Sequence, residues 1–371
     1  MAKLIDTEAP PGARADSPAA GSQDPAAAAA HQPGAHQNST FVELERPDVW
    51  IRVRKLALRQ LDRVVALEPK VLRDESPRPV HDLRVASRRL QALLDFLYAA
   101  PRPGEVRKLR RRLRKARQVL GELRNLDVLA GRIERALARK RTAHREAWQT
   151  GRDYVLKSRR KTAERAYRKL TRLNLGDLYV RLRQEVAGQP PTADPPPTEP
   201  PRVIAFPDDR GAVEPASAAS KELAARFAEG LAGLWQDFEA RAAESRRERG
   251  ALHALRISAK RLRYFIEVAA ALDVAGSAEA LSWLRVLQAR LGDWHDYEVL
   301  GGTLLEMVAR RDFLKEQLPL AIEVEKLVLS LRRAKTRACE RFLRGTFKSP
   351  EYRRTAEWVA QRTDSRTLTA G

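Results

Sequence analysis

The sequence predicts an all-α protein built by an internal duplication. Three observations lead there. Apolar residues recur at helical spacing through most of the chain, and no segment sustains the alternation of a strand. Hydrophobic residues make up 43% but aromatics only 6%, with Ala, Leu, Arg and Glu abundant, a composition that favours helix. Finally, two stretches occur twice. Val80–Leu97 reads VHDLRVASRRLQALLDFL and Leu252–Ala269 reads LHALRISAKRLRYFIEVA. His81 aligns with His253, Leu83 with Leu255, Arg84 with Arg256, and Arg89 and Leu90 with Arg261 and Leu262; Arg88 aligns with Lys260 and keeps its charge. LGELRNLDVL at 120–129 pairs in the same way with LGDWHDYEVL at 291–300. The offset is nearly constant, 81 to 253 in the first case and 121 to 292 in the second, as an internal duplication requires.

Taken in order, residues 1–44 lack apolar periodicity and read as a disordered tail, in which His31 and His36 are inert. The first repeat spans residues 45–188. Pro47–Leu67 is an amphipathic helix carrying Trp50, Val53, Ala57, Leu61 and Val64 at helical spacing. Pro77 and Pro79 precede the Val80–Leu97 helix, with Pro79 suited to a helix start, and Pro101, Pro103 and Gly104 end it. Val106–Leu120 follows, with an apolar stripe of Val106, Leu109, Leu113, Ala116 and Leu120 and cations on its other faces from Arg107 to Arg117. The segment 120–129 reads as a junction. Helices are then expected at Leu126–Trp148, Tyr154–Leu173 and Leu175–Val186. The proline-rich stretch 189–216 reads as an exposed linker. The second repeat, 217–371, is expected to hold helices at Ser220–Ala243, Ser245–Leu272, Ala278–Arg290, His295–Phe313, Pro319–Leu343 and Tyr352–Arg362.

The repeated helix has two unlike faces. At about 100° per residue, His81, Arg84 and Arg88 fall within roughly 60° of one another. Leu83, Ala86, Leu90, Leu94 and Leu97 lie opposite and form a core stripe. His253, Arg256, Lys260 and Arg263 repeat the polar line. A solvated face ordinarily mixes signs. A face of one sign that occurs twice points to an anionic ligand, and the planar fork of arginine suits phosphate oxygens. The whole chain carries +22. Residues 48–188 hold 38 Lys and Arg against 16 Asp and Glu, and residues 217–371 hold 27 against 21. The first half is therefore the stronger polyanion surface.

Several classes are disfavoured. The single cysteine, Cys339, allows no disulfide framework and no thiolate zinc site, which fits a reducing cytosol. No apolar run approaches the roughly 20 residues of a membrane span, and no signal peptide is evident. The chain carries no GxxxxGK[ST], GxGxxG, GxSxG or HExxH motif, so no catalytic residue and no cofactor is assigned. His81 and His253 admit readings as metal ligands, as a phosphohistidine relay, as donors to phosphate or as packed histidines. Two residues fall short of the three or four ligands a metal needs, so no metal site is assigned. His144 has no repeat partner and reads as a surface or core residue. Nucleic acid remains the alternative ligand, because backbone contacts are sequence-blind. Against it, no aromatic platform interleaves with the cations and no helix-turn-helix, RNP or zinc-finger pattern is present.

The two motifs together resemble the CHAD family, named for histidines in an α-helical domain. They stand here as His81-Asp-Leu-Arg84-Val85 with Arg88-Arg89-Leu90, and Leu120-Gly121 with Arg124-Asn125-Leu-Asp127-Val128-Leu129. The second copies are His253-Ala-Leu-Arg256-Ile257 with Lys260-Arg261-Leu262, and Leu291-Gly292 with His295-Asp296-Tyr-Glu298-Val299. Asn125, His295 and Glu298 depart from the family pattern. The likeness covers about 47–188 and 217–365. It implies two duplicated antiparallel four-helix-type bundles facing a basic central groove that binds inorganic polyphosphate without catalysis, in the cytoplasm and with an accessory role at polyphosphate granules. CHAD modules can be joined to a CYTH triphosphatase, marked by an ExExK strand. The nearest string here, Glu323-Val-Glu325-Lys326, is wrongly spaced and sits on a predicted helix. The binding wall expected from the first half is His81, Arg84, Arg88, Arg89, Arg110, Arg114 and Arg117. From the second half it is His253, Arg256, Lys260, Arg261 and Arg263.

Overall fold

The computed structural model describes residues 43–363, apart from 45, 47, 75, 99–102 and 188–217. Most of the expected tail and linker lies outside the described residues. The first half holds α1 (Val49–Arg73), α2 (Pro77–Leu97), α3 (Gly104–Leu137), α4 (Arg145–Thr171) and α5 (Leu175–Ala187). The second holds α6 (Ala218–Arg247), α7 (Leu252–Ala271), α8 (Ser277–Val308), the short α9 (Arg311–Glu316), α10 (Leu318–Gly345) and α11 (Pro350–Thr363). Single 3-10 turns stand at Arg249–Ala251 and Thr346–Lys348. The all-α class holds, and no strand occurs among the described residues. No helix among them is long and apolar enough to cross a membrane. Among the described residues each half carries five longer helices. In each, the first helix packs on the second and on the last, and two long helices form a hairpin: α3 with α4, and α8 with α10.

Several boundaries differ from expectation for identifiable reasons. The segments around Gly121 and Gly292 are not junctions, and α3 and α8 run straight through them. Glycine in a helix interior costs about 1 kcal/mol against alanine and does not break the helix when packing on either side is good. Leu120 and Leu123, and likewise Leu291 and Trp294, are buried and hold the chain in place across each glycine. α1 likewise continues through Pro69, so that Val71 is buried in the core. The expected long helices 126–148 and 245–272 are each broken, at the turn before α4 and at the 3-10 turn before α7. His144 sits at the first break with φ 58°, and its Nδ1 lies 2.7 Å from Glu323 Oε2 of α10.

Two apolar clusters organise the helices. The larger joins α1, α2, α5, α6, α7 and α11 to the early parts of α3 and α8, so the halves share apolar contacts. At its centre Phe96 of α2 meets Phe227 of α6 edge-on with centroids 5.7 Å apart, and Phe227 stacks on Phe265 of α7 at 4.7 Å. Gly230 leaves room for that stack, since a Cβ there would stand 2.9 Å from Phe265 Cζ. The smaller cluster closes the far ends of the two hairpins on each other through Leu129, Ile133, Val155, Leu300, Leu304 and Val324. Gly151 of α4 permits that approach, because a Cβ there would lie 2.7 Å from Leu304 Cδ2 of α8.

Each hairpin is also clamped by charge. Asp127 of α3 accepts from Arg159 Nε of α4 at 2.7 Å, with the two side chains 0% and 13% exposed. Its counterpart Glu298 of α8 pairs with Lys335 of α10 at 2.8 Å. Burial raises the Asp127 carboxyl pKa, with Arg159 pulling the other way. Arg159→Ala would leave that carboxylate buried and uncompensated, which typically costs about 3–5 kcal/mol. Thermal melts should show the loss at neutral pH and a smaller one in acid, where Asp127 can take up a proton. An unchanged melting temperature at neutral pH would remove the clamp assignment.

Candidate functional site: a cationic cavity between the halves

Where the large apolar cluster gives way to the small one, the helices separate around a cavity of about 430 Å³. Four helices line it. α2 supplies His81, Arg84, Arg88 and Arg89, and α3 supplies Arg124 and Asn125. α7 contributes Arg256, Lys260, Arg263, Tyr264 and Glu267, and α8 contributes Arg285, His295 and Asp296. The apolar stripes of α2 and α7 face the core, which turns the opposite, cationic faces towards each other. The stripe residues Leu83, Ala86, Leu90, Leu94 and Leu97 are all buried.

The balance of charge is one-sided. Eight cations line the cavity against two carboxylates. Glu267 is taken up by Arg89 at 2.8 Å and Arg263 at 3.6 Å. Asp296 lies 3.4 Å from Arg132 of α3, whose guanidinium stands 4.5 Å from the Tyr297 ring. Among the described residues no carboxylate pairs with Arg84, Arg88, Arg124, Arg256, Lys260 or Arg285. Arg84 donates to the carbonyl of Arg117. Arg88 donates weakly to the Tyr264 hydroxyl at 3.4 Å, and the same ring carries Arg263 at 4.7 Å. Three buried nitrogens on the lining residues, Arg256 Nε, Arg263 Nε and His295 Nδ1, have no hydrogen-bond partner. Such groups are costly unless a ligand or water satisfies them.

Burial and mutual repulsion leave their mark on protonation. Burial first, and then Arg256, Arg88, Arg84 and Arg263, bring the Lys260 amine down to about 7. Burial together with Arg88, Arg117 and Arg124 lowers Arg84 to about 10, which leaves it charged at neutral pH. Burial, Arg256 and His253 take His295 to about 4, and burial with Arg124 lowers His81. Both imidazoles are therefore neutral donors at neutral pH. The site holds more positive charge than the fold by itself would favour.

Seven of the twelve residues expected from sequence line this cavity: His81, Arg84, Arg88, Arg89, Arg256, Lys260 and Arg263. The other five stand elsewhere. Arg110 is held by Asp95 of α2 at 2.6 Å. Arg117 is half-buried behind Arg84, donating to the Ser87 carbonyl at 3.2 Å and to Gln91 Oε1. Arg114 and Arg261 are exposed outside the cavity. His253 is also exposed, its ring 5.5 Å from that of His295. The wall expected from Arg110, Arg114 and Arg117 is built instead by Arg124, about two to four turns further along α3. Arg124, Asn125, His295 and Asp296 belong to the second repeated motif, which was the available signal for them. Arg285 and Tyr264 carried no such signal.

The model of the CHAD domain matches residues 55–305 of this chain. The chain belongs to the CHAD family. The matched span runs from α1 to α8 and includes every residue that lines the cavity. A crystal structure of the CHAD domain from the plant Ricinus communis is similar, with a TM-score of 0.52 and 20% identity over 80% of this chain and 91% of that one. At that identity the likeness speaks for the CHAD fold alone. A comparison with curated proteins gave no match.

Proposed function

We propose that this CHAD protein binds inorganic polyphosphate in the central cavity, without catalysis, and serves polyphosphate metabolism in the cytoplasm, associated with granules. The observation that carries the reading is the cavity's excess of cations: eight against two carboxylates, six of them without an acidic partner among the described residues. A linear polyanion offsets that repulsion along the whole row, and phosphate oxygens match the donor forks of Arg84, Arg88, Arg124 and Arg256. His81 and the neutral His295 add donors without adding charge. A cavity of about 430 Å³ suits a single thin chain better than a duplex.

Titration calorimetry with polyphosphate, at salt near the physiological level, tests this. Tight binding with a steep salt dependence is expected, because several counterions are released per site. Polyphosphate bound in the cavity should resist displacement by duplex DNA at matched phosphate concentration. Complete displacement by the duplex, at equal affinity, would transfer the assignment to nucleic acid.

A further inference from the structure

The cavity leaves a large part of this protein's charge unexplained. Residues 48–188 hold 38 cations against 16 acids, and residues 217–371 hold 27 against 21. Yet the cavity takes four cations from each half: Arg84, Arg88, Arg89 and Arg124 from the first, and Arg256, Lys260, Arg263 and Arg285 from the second. The excess of the first half therefore stands elsewhere.

Much of it stands on the outer face of the α3–α4 hairpin. The early part of α3 and the late part of α4 lie side by side with a shallow groove between them, lined by Gln118, Arg165 and Lys169. Lys115 and Arg111 precede Gln118 by one and two turns on the same face of α3, and Arg172, which caps the end of α4, follows Lys169 by about one turn. All these cations are exposed. Arg111, Lys115, Lys169 and Arg172 have no acidic partner among the described residues. Glu122 stands at the far end of the groove, 3.9 Å from Arg165. The helix thus sorts its own basic run. Arg110 and Arg117 turn inward to Asp95 and Ser87, while Arg111 and Lys115 face out.

We propose that this outer face is a second polyanion site, and that it takes the backbone of duplex nucleic acid without reading its sequence. Cations four residues apart on a helix stand about 6 Å apart along its axis and can follow successive phosphates of one strand. Contacts of this kind position a duplex and carry no base information. The groove lies on the outer face of the hairpin, so a duplex can lie across it, whereas the central cavity is set between four helices. Single-stranded nucleic acid fits less well, because no aromatic side chain stands exposed on this face as a stacking platform. A membrane surface fits less well too. None of the exposed large hydrophobic residues, such as Ile51, Val180 and Ile257, belongs to α3 or α4, so nothing there would enter a bilayer. The inference does not rest on what occupies the cavity. Together the two sites would let one chain hold a thin polyanion inside and a duplex outside.

The experiment uses the full chain carrying Arg111→Glu, Lys115→Glu, Lys169→Glu and Arg172→Glu together, with the matching four-fold glutamine variant as a check on folding. Fluorescence anisotropy with a labelled duplex of random sequence is measured across a salt series, and polyphosphate binding is measured separately. Both variants should lose at least about tenfold in duplex affinity, and the slope of log K against log salt should become shallower by about three to four, near 0.9 per lost phosphate contact. Polyphosphate binding in the cavity should be retained. Unchanged duplex affinity and salt slope in both variants would overturn the proposal. So would loss of duplex binding on Arg84→Glu with Arg256→Glu, which would place the nucleic acid in the cavity. Loss of binding to anionic lipid vesicles with duplex binding intact would assign the face to a membrane surface instead.

Discussion

Replacing Arg84 and Arg256 together by glutamate is expected to abolish polyphosphate binding while leaving the fold intact. The two residues come from the paired helices α2 and α7 and line opposite walls of one cavity. Neither has an acidic partner among the described residues, so each is available to a ligand. Truncating one partner of a buried charge contact typically costs 2–5 kcal/mol, and every 1.4 kcal/mol is tenfold in affinity. Two reversals should therefore weaken binding by at least about a thousandfold. The fold should tolerate them. Arg84 gives up its bond to the Arg117 carbonyl, but a carboxylate in its place would stand among Arg88, Arg117 and Arg124. Repulsion that the native cavity sustains would be relieved, so the melting temperature of the ligand-free protein should hold or rise. Binding at native strength in a folded double variant would show that the anion sits elsewhere, even with the fold unchanged.

Lys260 should give the cavity a pH dependence. Its amine is brought to about 7 by burial and by Arg256, Arg88, Arg84 and Arg263. In the unfolded chain a lysine titrates near 10.4. Between about pH 7 and pH 10 the folded protein therefore holds fewer protons than the unfolded one, and its stability rises with pH through that window. Below about pH 7 the charged amine is present in both states, and the penalty of crowding it among arginines is complete. His81 and His295 both lie below the ordinary histidine value, His295 at about 4. An anion reverses the preference, because it favours the charged amine. Polyphosphate affinity should thus fall between pH 6 and pH 9, on the order of tenfold for one charge-assisted contact. Lys260→Met should stabilise the ligand-free protein most near pH 6, bind polyphosphate more weakly there, and lose the pH dependence. Melting and calorimetry at three pH values would decide it. A variant that keeps the native pH profile would exclude Lys260 as its source.

Period and composition were enough for the helical class and for the inward face of the key helices. Leu83, Leu90 and Leu94 repeat at helical spacing, so α2 could bury only that side, and His81, Arg84 and Arg88 then had to share the other. The same reasoning on α7 gave Arg256, Lys260 and Arg263. What one-dimensional pattern could not show was where a second helix would stand. Arg110, Arg114 and Arg117 look alike on α3, yet one meets Asp95, one is exposed, and one lies behind Arg84. Their separation depends on how α2 crosses α3, a contact between residues far apart in sequence. Gly121 and Gly292 look like breaks, and long-range packing on either side carries α3 and α8 through them. Arg124, Arg285 and His295 reach the cavity because the hairpins converge on the small apolar cluster beyond it. The sequence by itself determined which residues could not be buried in a core. Only the tertiary structure decided which of these were gathered into one cavity and which were left on the surface, because charges of one sign are brought together only where apolar packing on either side holds them.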